Sequence, residues 1–229
     1  MMTASTASSS ILGHADLHIQ SGAEQIVPMP AFETTPRKWT EEEFYAARDA
    51  APPSSERWEL VDGELLVTPG PHWTHQRLAF WLAHILEPYV SAHALGTVFL
   101  SPCDVRFEPG LIMQPDTFVV PAGHLRSRSD VVTRLLLASE VLSPSSTRFD
   151  RVIKRPRYQR HKVAEYWVID GESQTIERWQ PDDERPAIIA DQLHWHPNGA
   201  KEAFVLDVPA FFCDALAGII SGPKTSEQG

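Results

Sequence analysis

Asp116 and Glu140 are carboxylates set inside apolar runs, "LIMQPDTFVVP" (111–121) and "LLLASEVL" (135–142). A carboxylate inside an apolar strand is costly unless something pairs with it. A basic stretch follows the second run. Between Arg148 and Lys162 stand Arg148, Arg151, Lys154, Arg155, Arg157, Arg160 and Lys162 against one acid, Asp150, which is seven of the chain's twenty basic side chains in fifteen residues. Two carboxylates on adjacent strands with side chains on one face suit a hard divalent cation, magnesium or manganese. Such an ion takes one or two carboxylates together with phosphate oxygens and water. A lysine beside the cation positions water or stabilises developing negative charge, and a basic patch holds a polyanion by its phosphates. The chemistry that unites these parts is metal-assisted hydrolysis of a phosphodiester.

The elements that must position these groups can be read in order. Thr40 followed three residues on by Glu43 is a capping box that starts a short helix in "WTEEEFYAARD". "RWELVDGELLVTP" reads as two short strands joined through Asp62-Gly63, a hairpin turn. In "HWTHQRLAFWLAHILEPYV", Leu78, Leu82, Ile85, Leu86 and Tyr89 recur at helical spacing, with His75 on the same face. Pro88 and "SAHALG" are expected to end that helix after about four turns. Two strands follow in "TVFLSPCDVRFEPG", another in 111–121 with Asp116 in its interior, and another over roughly 134–142. A helix is expected through "STRFDRVIKRPRYQRHK", then strands "EYWVID" and "TIERWQ" around the "GESQ" turn, with weaker strands near 187–195 and 203–206. The fold class is therefore mixed α/β (α+β), a mixed sandwich rather than a regular βαβ array.

At 229 residues the chain is long enough for one domain with a substantial core. The expected division is a flexible N-terminal tail over 1–36, a domain over 37–215 and a C-terminal tail over 216–229. The formal net charge of −10 argues against a global attraction to nucleic acid or anionic membrane, so any such site is a local patch. Two unpatterned cysteines, Cys103 and Cys213, argue against a disulfide framework and a CxxC-type zinc site. No apolar run approaches a membrane span, and the N-terminus lacks the features of a secretory signal. The expected compartment is cytoplasmic, with no membrane partner.

"QPD" at 114–116, "EVLSPSS" at 140–146, Asp150, Lys154 and Tyr158, and "VAEYWVID" at 163–170 resemble a large family of restriction-endonuclease-like bacterial proteins, mostly uncharacterised, within the PD-(D/E)XK nuclease superfamily. "RWELVDGEL" at 57–65 and "HQRL" at 75–78 match its upstream pattern. The resemblance covers about 40–180. It implies a restriction-endonuclease-like core, a central mixed sheet flanked by helices, here with an extra N-terminal hairpin. It implies magnesium or manganese held by Asp116 and Glu140, with the Val141 carbonyl facing the ion and Glu59 as a third acid. Gln114 and Tyr158 are accessory positions of the same pattern.

One departure concerns the lysine. The superfamily places it two residues after the acid, where this chain has Leu142. Lys154 offers a replacement, because Asp150, Lys154 and Tyr158 at i, i+4 and i+8 share one helical face. Pro156 is a second departure, since a proline there kinks the helix or delays its start to about 154.

Each residue also has an ordinary structural reading. Glu59 fits a hairpin surface charge, His75 a satisfied helix histidine or a group bonding a phosphate or carboxylate, and the basic run a solvated face. His72, His75, His194 and His196 lack a third ligand at zinc spacing. Trp73, Trp81, Trp167, Trp179 and Trp195 read as core or edge-packing groups rather than base-stacking platforms. The functional expectation is a metal-dependent endonuclease acting on DNA. Asp116, Glu140 and Lys154 are its catalytic groups, and Arg148, Arg151, Arg155 and Arg157 contact phosphates. RNA is the other candidate substrate, and a homodimer follows only by analogy with nucleases that cut both strands. The alternative is a nuclease-fold protein, catalytically weak or inactive, serving as a nucleic-acid-binding or regulatory module. An interaction protein whose basic helix meets an acidic partner is the third reading.

Overall fold

The described residues form a four-stranded sheet, a six-stranded sheet and a two-stranded hairpin, packed with four α-helices. The computed structural model describes residues 37–53, 56–126, 131–144 and 146–217. The expected N-terminal tail lies outside the described residues, as do 218–229 of the C-terminal one.

Helix α1 (Glu41–Ala50) starts as its sequence dictates. Thr40 accepts the Glu43 N–H and the Glu43 carboxylate accepts the Thr40 N–H, closing the capping box. Its buried Phe44 packs on Leu60 and Ile112. Strands β1 (Arg57–Val61) and β2 (Glu64–Thr68) pair antiparallel through a turn in which Asp62 and Gly63 both take positive φ, 51° and 80°. That is the geometry Asp-Gly favours in a two-residue hairpin.

Helix α2 (Trp73–Ala92) is longer than its proline predicts. Pro88 lies inside it, on the exposed side, while Leu86 and Val90 continue the buried stripe beyond it. The lost backbone bond therefore falls where water can satisfy the freed carbonyl, and packing of the apolar stripe carries the helix on.

Strands β3 (Gly96–Leu100), β4 (Val105–Glu108), β5 (Leu111–Met113), β6 (Thr117–Pro121) and β7 (Leu137–Val141) follow. The expected single strand over 111–121 is in fact two strands in different sheets. β5 joins a four-stranded sheet in the order β2-β1-β5-β4, whereas β6 joins a six-stranded one. Gln114-Pro115-Asp116 is the crossing between them, so Asp116 stands between sheets and not inside a strand. Pro115 has no N–H to give to a ladder, which is why pairing stops there.

A π-helical segment (Phe149–Lys154) runs directly into α3 (Arg155–Arg160). The Arg155 N–H reaches back five residues to the Asp150 carbonyl. This wider turn is the local answer to Pro156, the second residue of α3. An ordinary α-turn would drive the proline ring into the carbonyl four residues back.

Strands β8 (Glu165–Asp170), β9 (Thr175–Trp179) and β10 (Ala187–Ile189) complete the mixed sheet β10-β9-β8-β7-β6-β3, in which β7 and β8 are parallel. Strands β11 (Gln192–Trp195) and β12 (Phe204–Asp207) form a separate hairpin. Helix α4 (Val208–Leu216) was not foreseen, although Asp207 caps the Ala210 N–H and Pro209 sits in its first turn, both readable start signals.

One core cluster packs α2, α4, β11 and β12 on one face of the six-stranded sheet, with Leu82, Leu86, Trp167, Trp195 and Phe212 at its centre. A second lies on the opposite face, where the four-stranded sheet and α3 close over Phe118, Ala138, Tyr158, Tyr166 and Val168. Trp167, Trp179 and Trp195 are buried as expected, but Trp73 is half exposed. No helix among the described residues is long and apolar enough to cross a membrane.

Candidate active site

The second core cluster contains a buried knot of charge. β1 supplies Arg57 and Glu59, the inter-sheet crossing Asp116, β7 Glu140, and the π-helical segment Asp150 and Lys154. Glu59, Asp116, Glu140, Asp150 and Lys154 are all 2 % exposed or less.

Lys154 Nζ lies 3.0 Å from Glu140 Oε1, 3.0 Å from Glu59 Oε1 and 3.7 Å from Asp150 Oδ1. The lysine missing at Leu142 is thus replaced in space by one on the following helix, and Pro156 does not turn it away. Tyr158, one turn on, donates its hydroxyl to the same Glu140 oxygen at 2.9 Å. Glu140, expected from sequence as a metal ligand beside Asp116, thus also has a partner in the basic helix.

Asp116 has its own partners. The Arg57 guanidinium donates to Oδ1, His75 Nε2 lies 3.0 Å from Oδ2, and the Val141 N–H donates to Oδ2 at 2.7 Å. The Asp116 N–H bonds the Ser139 carbonyl, which sets it beside Glu140 on the neighbouring strand. Glu59 Oε1 accepts the Gln114 N–H at 2.7 Å. Gln114 therefore serves the site through its backbone, while its side chain turns to Asp104. Arg57 and Asp150 complete the cluster. Both lie in stretches that carry the family resemblance, "RWELVDGEL" and the Asp150, Lys154, Tyr158 string, yet neither stood among the candidate site residues.

Burial pushes the Asp116 carboxyl up, but the His75 hydrogen bond and the Arg57 charge outweigh it and bring it down to about 2. Burial raises Glu140 well above its usual value, with Lys154 opposing and Asp116, Asp150 and Glu59 adding to the rise. Asp150 is raised for the same reason. Burial works against charge on Lys154, yet Glu140, Glu59 and Asp150 more than compensate and hold it protonated.

Four carboxylates here face two permanent cations, a formal excess of two negative charges. Glu59 Oε2 and Glu140 Oε2 are buried and accept no hydrogen bond among the described residues. Oxygen donors, orphaned lone pairs and a charge deficit of two are what a hard divalent cation would meet, so the residues fit one chemically. Among the described residues, however, no three His, Cys, Asp or Glu side chains already converge as a ready cage. The ammonium of Lys154 occupies the centre of the cluster instead. Of the cluster, Asp116 and Arg57 line a cavity of about 440 Å³, together with His75. His75 also lines a second cavity of about 590 Å³ on its other side.

The rest of the basic stretch is largely neutralised. Arg151 pairs with Glu177 and Asp170, Arg157 and Arg160 with Asp62, Arg160 also with Glu108, and Lys162 with Asp182. Arg155 lies over the Trp179 ring at 4.5 Å. Arg148 is exposed and makes no ion pair among the described residues.

The architecture resembles that of a crystal structure from Anabaena variabilis ATCC 29413, described as a putative nuclease belonging to DUF820. The TM-score is 0.64 at 21 % identity, covering 77 % of this chain and 99 % of that one. That likeness identifies the fold, a nuclease-like mixed sheet flanked by helices. No curated protein matches the chain. The family model Uma2, "Putative restriction endonuclease", matches residues 42–203, most of the chain and every residue of the buried cluster. The chain belongs to the Uma2 family of restriction-endonuclease-like proteins.

Proposed function

We propose that the protein is a metal-dependent endonuclease that hydrolyses phosphodiester bonds in DNA. The observation that carries this reading is the position of Lys154, 3.0 Å from both Glu140 and Glu59 despite coming from a helix rather than from the strand. Asp116, Glu140 and Glu59 would hold magnesium or manganese. The ion, when bound, supplies Lewis acidity at a phosphate oxygen and acidifies a bound water.

The chain's own residues do the rest. Lys154 stays protonated, so it donates hydrogen bonds and does not act as a base. It orients water and meets negative charge as that charge develops. Tyr158 and the Gln114 N–H fix the two glutamates it touches. Arg57 and His75 hold Asp116 ionised where it lines the cavity. Arg148, exposed and without an ion pair among the described residues, is the side chain of the basic stretch most available to a phosphate; Arg151, Arg155 and Arg157 must first leave their partners.

Plasmid nicking in magnesium is the direct test. Asp116→Ala and Glu140→Ala should fall to background, and undiminished nicking in both would refute the assignment. Lys154→Met should lose about 100-fold, in the range of a deleted charge-stabilising donor. Leu142→Lys in that background returns the ammonium to the strand position two residues after Glu140. Partial recovery there would show that the group, and not its helix, is what the reaction needs.

A second reading, a nucleic-acid-binding or regulatory module without catalysis, is favoured by how well Lys154 and Arg57 already satisfy the carboxylates. It predicts salt-dependent DNA binding with no cleavage in any divalent metal.

A further inference from the structure

The solvent face of α2 carries aromatic rings in a line. Trp73 is 51 % exposed and Phe80 49 %. The Phe80 and His84 rings lie nearly parallel, 12° apart with centroids separated by 6.1 Å. Arg77 sits 5.8 Å over Phe80 and 4.8 Å over Trp81. Its Nε donates to the Ala215 carbonyl at 2.9 Å, which pins the guanidinium in place. Single exposed apolar residues are ordinary on any surface. What sets these apart is where Phe80 leads. With Gln76 and the half-exposed Leu100 it walls the same 440 Å³ cavity that Arg57 and Asp116 line at its inner end.

We propose that this face of α2 is a stacking track for an unpaired nucleic-acid strand. The cavity between Phe80 and Leu100 takes the base of the nucleotide whose phosphate lies beside Arg57. The second half of this assignment rests on the nuclease reading of the buried cluster, while the first does not.

Three observations support it. A base in a duplex already has both faces stacked and its edge paired, so only an unpaired or splayed base can use an exposed ring. The chain's net charge of −10 opposes phosphate-led binding, so affinity for a strand has to come from the rings, whose stacking adds no charge. The basic residues that would otherwise lead by phosphate contact are mostly committed to Asp62, Glu108, Glu177 and Asp182. Every base presents a π-face, so the track is tolerant of sequence.

The test is fluorescence anisotropy with a labelled single-stranded DNA oligonucleotide, its RNA counterpart and the corresponding duplex, in EDTA so that nothing is cut. Phe80→Ala should weaken single-strand binding about ten-fold, the usual effect of losing one stacking ring. Phe80→Trp should keep it, and duplex binding should change little. The DNA and RNA arms decide which backbone the track accepts. Phe80→Ala and Trp73→Ala binding the single strand as the wild type does would overturn the proposal. So would a wild type that prefers duplex throughout. A change in sedimentation on Phe80→Ala with unaltered oligonucleotide affinity would also overturn it, making the face a contact between copies of the chain. Plasmid nicking separates the two readings. Phe80-dependent binding without nicking in magnesium leaves the track standing and removes the catalytic assignment, whereas nicking with Phe80-independent binding does the reverse.

Discussion

Lys154 and Arg160 stand six residues apart on one helical stretch, and each meets more than one carboxylate, three for Lys154 and two for Arg160. Lys154 is 1 % exposed and faces Glu59 and Glu140, themselves buried. Arg160 is 52 % exposed and faces Asp62 and Glu108, also substantially in water. Counted as ion pairs the two look alike, yet they obey different physics. Water screens the Arg160 pairs, so little is gained by making them and little lost by breaking them. Bulk solvent does not reach Lys154, and each charge there is tolerable only because the others are present. The same contrast separates the functional prospects. Arg160 lies where screening leaves a charge little leverage, whereas Lys154 is fixed in a low-dielectric site where a charge has most leverage on a reaction.

The largest effect should come from breaking the buried side. Lys154→Met leaves Glu59, Glu140 and Asp150 facing one another, and an unpaired buried charge of this kind costs about 3–5 kcal/mol. Urea unfolding should show that loss in Lys154→Met. Adding Glu140→Gln should return part of it by removing one of the stranded carboxylates. A Lys154→Met protein within 1 kcal/mol of the wild type would mean that the cluster is not charged as its geometry indicates.

How far this contrast could be read beforehand depends on the kind of signal involved. Local chemistry was legible. The Thr40–Glu43 capping box, the Asp62-Gly63 hairpin and the period of α2 each depend on residues within a turn or two of one another. The convergence of Asp116, Glu140 and Lys154 was legible only because a family motif string carried it. Nothing in the spacing of a π-helical segment announces where a lysine points. Partners from distant elements were not legible. Arg57 meets Asp116 across 59 residues, and Arg157 meets Asp62 across 95. Hence the basic stretch read as a free phosphate-binding face when most of it is already paired. The split of 111–121 between two sheets was missed for the same reason, since an apolar run does not say which sheet its halves will join.

Acid should divide the buried carboxylates from each other. Asp116 has its folded value held down to about 2 against 3.8 unfolded. Its contribution, about 2 kcal/mol for a shift of this size, is fully present above about pH 4 and drains away as pH falls toward 2. Asp116→Asn should therefore trail the wild type near neutrality and close the gap below pH 4. Glu140 runs the opposite way. Its folded value is raised from 4.5, so the stabilisation it provides belongs to the protonated form and is lost as pH rises through that raised value. In EDTA, Glu140→Gln should gain on the wild type as pH increases. Parallel pH profiles for the two variants would contradict the separate environments assigned to these neighbouring acids.

The smallest effect belongs to the exposed side, and its smallness is the point. Arg160→Ala should change the unfolding free energy by about 0.5 kcal/mol or less, and the difference should shrink further at high salt. The informative readout is nucleic-acid binding. A basic residue that contacts a phosphate releases about one counterion, so its removal lowers the slope of log affinity against log salt by about one. Arg160 is already held by Asp62 and Glu108, and to reach a phosphate it must give up both. The expected slope is therefore unchanged in Arg160→Ala. A drop of one would show that the outer ion pairs open when nucleic acid arrives. The stretch from Arg148 to Lys162 would then divide differently, with its exposed cations acting as a latch that substrate unfastens and Lys154 alone staying in its buried pairs.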